Sequence, residues 1–136
     1  MKTPNYGQML DSRDLEERRE ELESELETLR DAVNEAAHED KEAAEESLAE
    51  WEREYASELR DLNNAQSEVC EWCDGATLVP ERQWVDYVQE LLEECGDIPK
   101  DVPWYVAIDW DKTAENVKAD YSEIEICGET YIYRNC

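Results

Sequence analysis

The sequence contains no phenylalanine, a single histidine, four glycines and four prolines among its 136 residues. One histidine, His38, is too few for a histidine-based metal site or catalytic triad, and four glycines leave no glycine-rich loop for a phosphate. No apolar run approaches the roughly 18 residues of a membrane helix, and residues 1–10 lack the apolar stretch of a signal peptide. We therefore expect an intracellular protein that is not an enzyme and needs no cofactor.

Basic residues are also scarce: 13 Lys and Arg stand against 38 Asp and Glu, which gives a net charge of −25. Residues 11–69 hold 22 acids and 7 bases, and residues 70–136 hold 16 acids and 5 bases. The acids alternate with apolar residues that can fold, unlike those of a low-complexity acidic tail, and they disfavour direct binding to nucleic acid. Three explanations stay open: a halophilic proteome, the solubility of a coiled coil, or a surface for a basic partner.

Residues 11–69 contain neither glycine nor proline and carry two apolar stripes at helical spacing. The stripes consist of Leu15, Leu22, Leu26, Leu29, Val33 and Ala36, and of Leu48, Trp51, Tyr55, Leu59, Leu62 and Val69. The polar residues 38–42 between them predict a turn, so we expect helices over about residues 12–37 and 41–69. Antiparallel packing lets the stripes cover each other in a hairpin about 40 Å long, at 1.5 Å per residue.

The pattern changes beyond residue 75. Pro80 suits the first turn of a helix that ends at Gly96, and Asp109 suits the N-cap of a short helix. Alternating apolar residues after residue 122 predict two short strands joined by a turn at Gly128. The expected fold class is α+β: a long antiparallel helical hairpin, a coiled-coil-like arm, followed by a small domain of two helices and a C-terminal β-hairpin. The segments are an irregular lead-in over residues 1–10, the acidic hairpin over 11–75 and the α+β domain over 76–136.

Two groups of residues have the spacing of a metal site. Cys70 and Cys73 form a C-x-x-C motif, but the other cysteines stand alone, so we expect the motif to end the second helix with reduced thiols. A small metal-binding regulator that uses this motif remains an alternative hypothesis. Asp109, Asp111 and Glu115 are spaced for a divalent cation, although at this density of carboxylates the spacing is not diagnostic. We therefore predict no bound metal.

Residues 108–121, with the sequence IDWDKTAENVKADY, resemble the C-terminal segment of the ArdA-type antirestriction proteins. The similarity covers about residues 78–134 and includes the helix that begins near Trp84, the motif GDIP at residues 96–99, Trp104 and the hairpin through Gly128. The chain is also similar to a group of small phage and prophage proteins that open with Asp-Ser-Arg-Asp, found here at residues 11–14, and carry an acidic helical arm before the same segment. The N-terminal domains of the ArdA type are replaced here by the helical hairpin.

This resemblance implies mimicry of DNA, in which carboxylates on a rigid scaffold occupy the DNA site of a restriction-modification enzyme and block it. We therefore hypothesise that a phage or mobile element encodes this acidic inhibitor, which acts in the cytoplasm of the host cell. Its expected partner is the basic DNA-binding groove of a host defence protein, either a restriction-modification enzyme or a CRISPR effector, with no direct contact to nucleic acid or membrane. The expected contact residues are surface acids: Glu16, Glu20, Glu23, Glu27, Asp86, Glu90, Asp109, Asp111, Glu115, Asp120, Glu123 and Glu125.

A non-enzymatic coiled-coil adaptor or dimerising structural protein is the alternative hypothesis. In that case an apolar stripe pairs with a second copy, as in a homodimer, or with a partner helix. Such binding survives high salt because apolar burial drives it, whereas binding through surface carboxylates weakens as salt rises. Salt dependence therefore distinguishes the two hypotheses.

Overall fold

The computed structural model describes residues 3–99 and 101–135, which form helices packed on an antiparallel sheet. In chain order the elements are β1 Leu10–Asp11, α1 Ser12–Glu35, α2 Lys41–Glu68, β2 Thr77–Pro80, α3 Trp84–Glu94, α4 Trp110–Lys118, β3 Tyr121–Ile126 and β4 Glu129–Arg134. The four strands lie in the order β1-β2-β4-β3. The predicted α+β class and the helical hairpin are confirmed.

Helices α1 and α2 begin and end close to the predicted residues. Asp11 caps α1, since its carboxylate accepts the backbone N–H of Arg13 at 2.8 Å. The turn between the helices closes with a hydrogen bond from the Asp40 N–H to the Ala37 carbonyl at 2.8 Å. The two helices then pack along their apolar stripes, which places the charged residues on the outside.

The main hydrophobic core lies where the base of the helical hairpin meets the sheet. Leu15 and Leu22 of α1 and Leu62 of α2 are fully buried, and they share one cluster with Ile126 and Tyr131 of the C-terminal strands. Towards the tip of the hairpin the stripe is only half-buried, because two helices alone cover less surface than two helices and a sheet. These half-buried residues are Leu26, Leu29, Val33 and Leu48.

Strands β1 and β2 extend the sheet beyond the predicted β-hairpin. Leu10 pairs with Leu78, so the end of the expected irregular lead-in is a short strand. Pro80 pairs with Tyr131 at the end of β2, and α3 begins only at Trp84, so the placement of Pro80 in a first helical turn was wrong. Proline is acceptable there because the last residue of a strand can dispense with a backbone N–H.

Helices α3 and α4 cover the sheet with a second, smaller core. Trp84, Val88, Ala114 and Ile132 are buried there, and the Trp84 indole N–H donates to the Ala114 carbonyl at 2.9 Å. Asp109 caps α4 as predicted, since it accepts the Lys112 N–H at 3.1 Å. None of the helices in the described ranges has the length and apolar character needed to cross a membrane.

Candidate acidic partner-binding surface

The outer side of α1 presents exposed acids along its whole length. They recur three or four residues apart: Asp14, Glu17, Glu20, Glu23, Glu27, Asp31 and Glu35. At 3.6 residues per turn they spread over the half of the helix that faces away from the apolar stripe, with Asp14 and Glu23 at its two edges. We call these seven residues the α1 acidic row.

Few cations offset the row. Within the described residues, Glu23 is the only member in an ion pair, at 3.0 Å from Arg19. Arg13 binds Asp11 at 2.8 Å and lies close enough to Asp14 to interact with its charge, and Arg18 is turned into the core. Arg30 is exposed between Glu27 and Asp31. The seven acids therefore outnumber the cations near them, and this part of the surface is strongly negative.

Glu16 belongs to the scaffold, in contrast to the other predicted contact residues of α1. Its carboxylate binds Arg19 at 2.5 Å and accepts the indole N–H of Trp72 at 2.7 Å. The hydrogen bond from Arg19 leads the effects that lower the pKa of Glu16, with burial acting against it and Trp72 adding to the lowering. This carboxylate therefore joins α1 to the segment after α2, while Glu20, Glu23 and Glu27 face solvent as expected.

A buried ion pair fixes the two helices relative to each other. Arg18, 2% exposed, donates through Nε to Glu58 at 2.8 Å and through Nη2 at 3.1 Å. The hydroxyl of Tyr6 donates to the same carboxylate at 2.6 Å, and the guanidinium lies 5.6 Å from the ring centre of Tyr55. Burial raises the pKa of Glu58, but the hydrogen bonds from Arg18 and Tyr6 lower it by more, so the pKa lies below its ordinary value. Glu58 is therefore ionised at neutral pH.

Helix α2 also exposes acids, but in a less regular arrangement. Arg53 and Arg60 stand among them on its solvent face. The exposed acids of this helix are Glu42, Glu45, Glu46, Glu50, Glu52, Glu54 and Glu68. These exposed acids leave a gap between Glu54 and Glu68, whereas those of α1 recur along the whole helix, so α1 offers the more continuous negative surface.

The predicted acids of the C-terminal part are all exposed, and they fall on several elements. Asp86 and Glu90 lie one turn apart on α3, whereas Asp111 and Glu115 lie on α4. Asp109 is committed to capping α4, and Asp120 follows that helix. The structure thus spreads these acids over separate elements, of which α3 is acidic, while α4 has two lysines against its two acids.

Two further predicted acids, Glu123 and Glu125, lie on the exposed side of the edge strand β3, where they alternate with buried Ile124 and Ile126. Glu123 is in an ion pair with Lys118. Glu125 is therefore the less compensated of the two.

Sequence reasoning missed four members of the α1 acidic row: Asp14, Glu17, Asp31 and Glu35. A helical pattern was available to find them, because these positions lie opposite the stripe that contains Leu15 and Leu22. Positions 16 and 23 are seven residues apart and lie on nearly the same line of the helix, so this pattern does not separate Glu16 from Glu23. Only the packing does, because the Trp72 indole N–H meets Glu16.

Among the cysteines that the structure describes, Cys70 differs from expectation. Cys70 is disulfide-bonded, while Cys73, Cys95 and Cys127 are free thiols, so the expectation of reduced thiols fails at Cys70. Cys73 is not its partner, and the C-x-x-C motif therefore holds no internal disulfide. Within residues 3–99 and 101–135, no three His, Cys, Asp or Glu side chains lie together as a metal site would require.

Comparison of the chain with protein-family models, with curated proteins and with solved structures finds no significant match. The functional argument therefore depends on the geometry and charge of the surface described above.

Proposed function

We propose that this protein is an acidic DNA mimic that inhibits a host DNA-targeting defence protein, and that a phage or mobile element encodes it. The observation that carries the proposal is the α1 acidic row, seven exposed carboxylates spread along the outward half of one helix. A basic groove built for DNA binds such a row through charge complementarity, and counterions are released as they are when DNA binds.

The spacing of the row supports this proposal. From Asp14 to Glu35 the helix rises about 32 Å at 1.5 Å per residue, so the row presents one carboxylate per roughly 5 Å. One strand of duplex DNA presents one phosphate per roughly 3.4 Å of axis. The two linear charge densities are of the same order, although the row has a single strand of charges where DNA has two.

The rigidity of the support is the second argument. A flexible acidic chain loses conformational entropy when it is ordered in a groove, which weakens binding. Here Leu15, Leu22 and Leu62 are fully buried behind the row, and the Arg18–Glu58 pair ties α1 to α2. The carboxylates are therefore held in place before a partner binds.

The test compares two variants that lose the same charge from different helices. One replaces Glu17, Glu20 and Glu27 with Gln and Asp31 with Asn; the matched control replaces Glu42, Glu45, Glu46 and Glu50 of α2 with Gln. All eight residues are exposed and lie outside the ion pairs of the described structure. Inhibition of DNA cleavage is measured with a purified type I restriction-modification enzyme and with a guide-loaded CRISPR effector nuclease.

We expect the α1 variant to inhibit about 10-fold less well, at roughly 0.3–0.5 kcal/mol for each exposed charge, and the α2 control to change much less. Equal losses in the two variants would mean that only total charge matters. Full inhibition by a folded α1 variant would contradict the role of the row.

The adaptor hypothesis is the second candidate, and the half-buried tip of the hairpin favours it. Leu26, Leu29, Val33 and Leu48 keep part of their apolar surface accessible. A second helix laid on the tip would cover that surface and hold at high salt. Sedimentation of the protein with its bound partner at 50 mM and 1 M NaCl distinguishes the two hypotheses. An adaptor assembly persists at 1 M NaCl, whereas a complex formed through the α1 acidic row dissociates.

A further inference from the structure

The loop between α3 and α4 exposes aromatic side chains that the scaffold does not use. Trp104 is 94% exposed, Tyr105 72% and Val106 46%. In contrast, Trp51, Trp72 and Trp84 are buried, and each donates its indole N–H to a protein oxygen. A tryptophan left almost wholly in water is a large apolar surface available for contact.

A tight turn holds these side chains outward. The Val106 N–H donates to the Pro103 carbonyl at 2.9 Å, so Trp104 and Tyr105 occupy the two central positions of a turn. Such positions usually carry small or polar residues, whereas the ring of Pro103 fixes the backbone at the start of this turn. The two aromatic rings contact each other edge to face, with centroids 5.8 Å apart.

Acids flank the turn in the sequence. Residues 97–111 contain four acids and one base, and Asp97, Asp101, Asp109 and Asp111 are all exposed. This negative charge disfavours two occupants. A second copy would bring another net charge of −25 against this one, and anionic lipid headgroups would also repel the chain.

We infer that the Trp104–Tyr105 turn is a docking anchor for a protein surface in which basic residues surround an apolar pocket. The indole enters the pocket, and the aspartates pair with the basic rim. The inference rests on the proposed function for its choice of partner, a DNA-binding protein. It adds a contact that DNA lacks, and the contribution of this apolar contact depends little on salt, while the total affinity still falls as salt screens the carboxylates.

The experiment uses the full chain with the same two probes, a purified type I restriction-modification enzyme and a guide-loaded CRISPR effector nuclease. Binding of wild type, Trp104→Ser/Tyr105→Ser, Trp104→Phe and the control Met9→Ser is measured at 50 and 300 mM NaCl, with and without competing duplex DNA. Met9 is a matched control because it is another exposed apolar side chain, at 51% exposure. The native fold of each variant is verified by its circular dichroism and its unfolding midpoint.

We expect the double variant to bind at least about 30-fold more weakly at both salt concentrations, as for an interface hot spot, while Trp104→Phe and Met9→Ser stay close to wild type. Equal binding by the double variant and wild type, with DNA still displaced, would overturn this inference and leave the proposed function standing. If the turn is needed for binding but duplex DNA does not compete, the anchor stands and the proposed function fails. No binding to either probe would overturn both, and self-association that the double variant abolishes would make the occupant a second copy.

Discussion

Removing the buried carboxylate of Glu58 is expected to destabilise the protein strongly. In Glu58→Leu the guanidinium of Arg18, 2% exposed, loses both of its hydrogen bonds to Glu58, at 2.8 and 3.1 Å. Removing one partner of a buried ion pair costs about 3–5 kcal/mol, because the remaining buried charge loses its principal counter-charge. This is a large part of the 5–15 kcal/mol that holds a typical domain folded.

The assays are thermal and urea unfolding followed by circular dichroism, with wild type, Glu58→Leu, Arg18→Met, the double variant Arg18→Met/Glu58→Leu and the exposed control Glu50→Gln. We expect the melting temperature of Glu58→Leu to fall by about 10–20 °C, at a few degrees per kcal/mol. The double variant should recover most of the loss, since replacing both members of a buried pair with apolar residues is often neutral. A loss of less than about 1 kcal/mol of unfolding free energy in Glu58→Leu would refute this reasoning. A double variant that loses more unfolding free energy than the two single variants together would also refute it.

Three further predictions concern pH, salt and thiol chemistry. Because the folded-state pKa of Glu58 lies below its ordinary value, the stability that its charge contributes is present above about pH 4.5 and is lost as the pH falls through the folded pKa. The difference in unfolding free energy between wild type and Glu58→Gln should therefore be constant from pH 7 to about 5 and become smaller below about pH 4. A difference at pH 3 equal to that at pH 7 would contradict this prediction. Self-repulsion of a net charge of −25 should make the melting temperature rise between 10 mM and 1 M NaCl, as the Debye length falls from about 30 to about 3 Å, and a fall would contradict it. Burial, with Glu58 and Asp61 nearby, raises the pKa of the Cys127 thiol to about 11. In a Cys73→Ser/Cys95→Ser variant at pH 8, iodoacetamide should therefore alkylate Cys127 on the order of 100-fold more slowly than it alkylates an unstructured cysteine peptide. Equal rates would contradict this prediction.

The long helices followed from the sequence because their evidence is local. Leucines such as Leu15, Leu22, Leu59 and Leu62 recur at helical spacing, and no glycine or proline interrupts them. The cap at Asp109 and the β-hairpin at Cys127-Gly128 also depend on neighbouring residues, with both turn residues at positive φ, 52° and 79°.

Strands β1 and β2 escaped prediction because their evidence is not local. The first has two residues and the second four. Leu10 pairs with Leu78, and both helices of the hairpin lie between these two residues in the sequence. Such short segments carry no periodicity of their own, and only the tertiary fold brings them together. Pro80 was misassigned for the same reason.

The buried pair of Arg18 and Glu58 shows how a charge can take a core position. Arg18 lies between Leu15 and Leu22 at the spacing of the stripe, and Glu58 precedes Leu59 on the facing helix. Sequence alone treats each as one charge among many, and only the packing shows that they meet. Trp104 is the opposite case, because its side chain is of an apolar type expected in a core but is exposed to solvent in the fold.

The most direct test of DNA mimicry is equilibrium competition between this protein and duplex DNA for one defence enzyme. A labelled duplex is bound to a purified type I restriction-modification enzyme and titrated with the protein at several duplex concentrations and at 50, 150 and 300 mM NaCl. The account predicts full displacement, an apparent inhibition constant that rises linearly with free duplex, and weaker displacement as salt rises. An enzyme that binds the protein and the duplex at the same time would contradict it, because two ligands cannot share one groove.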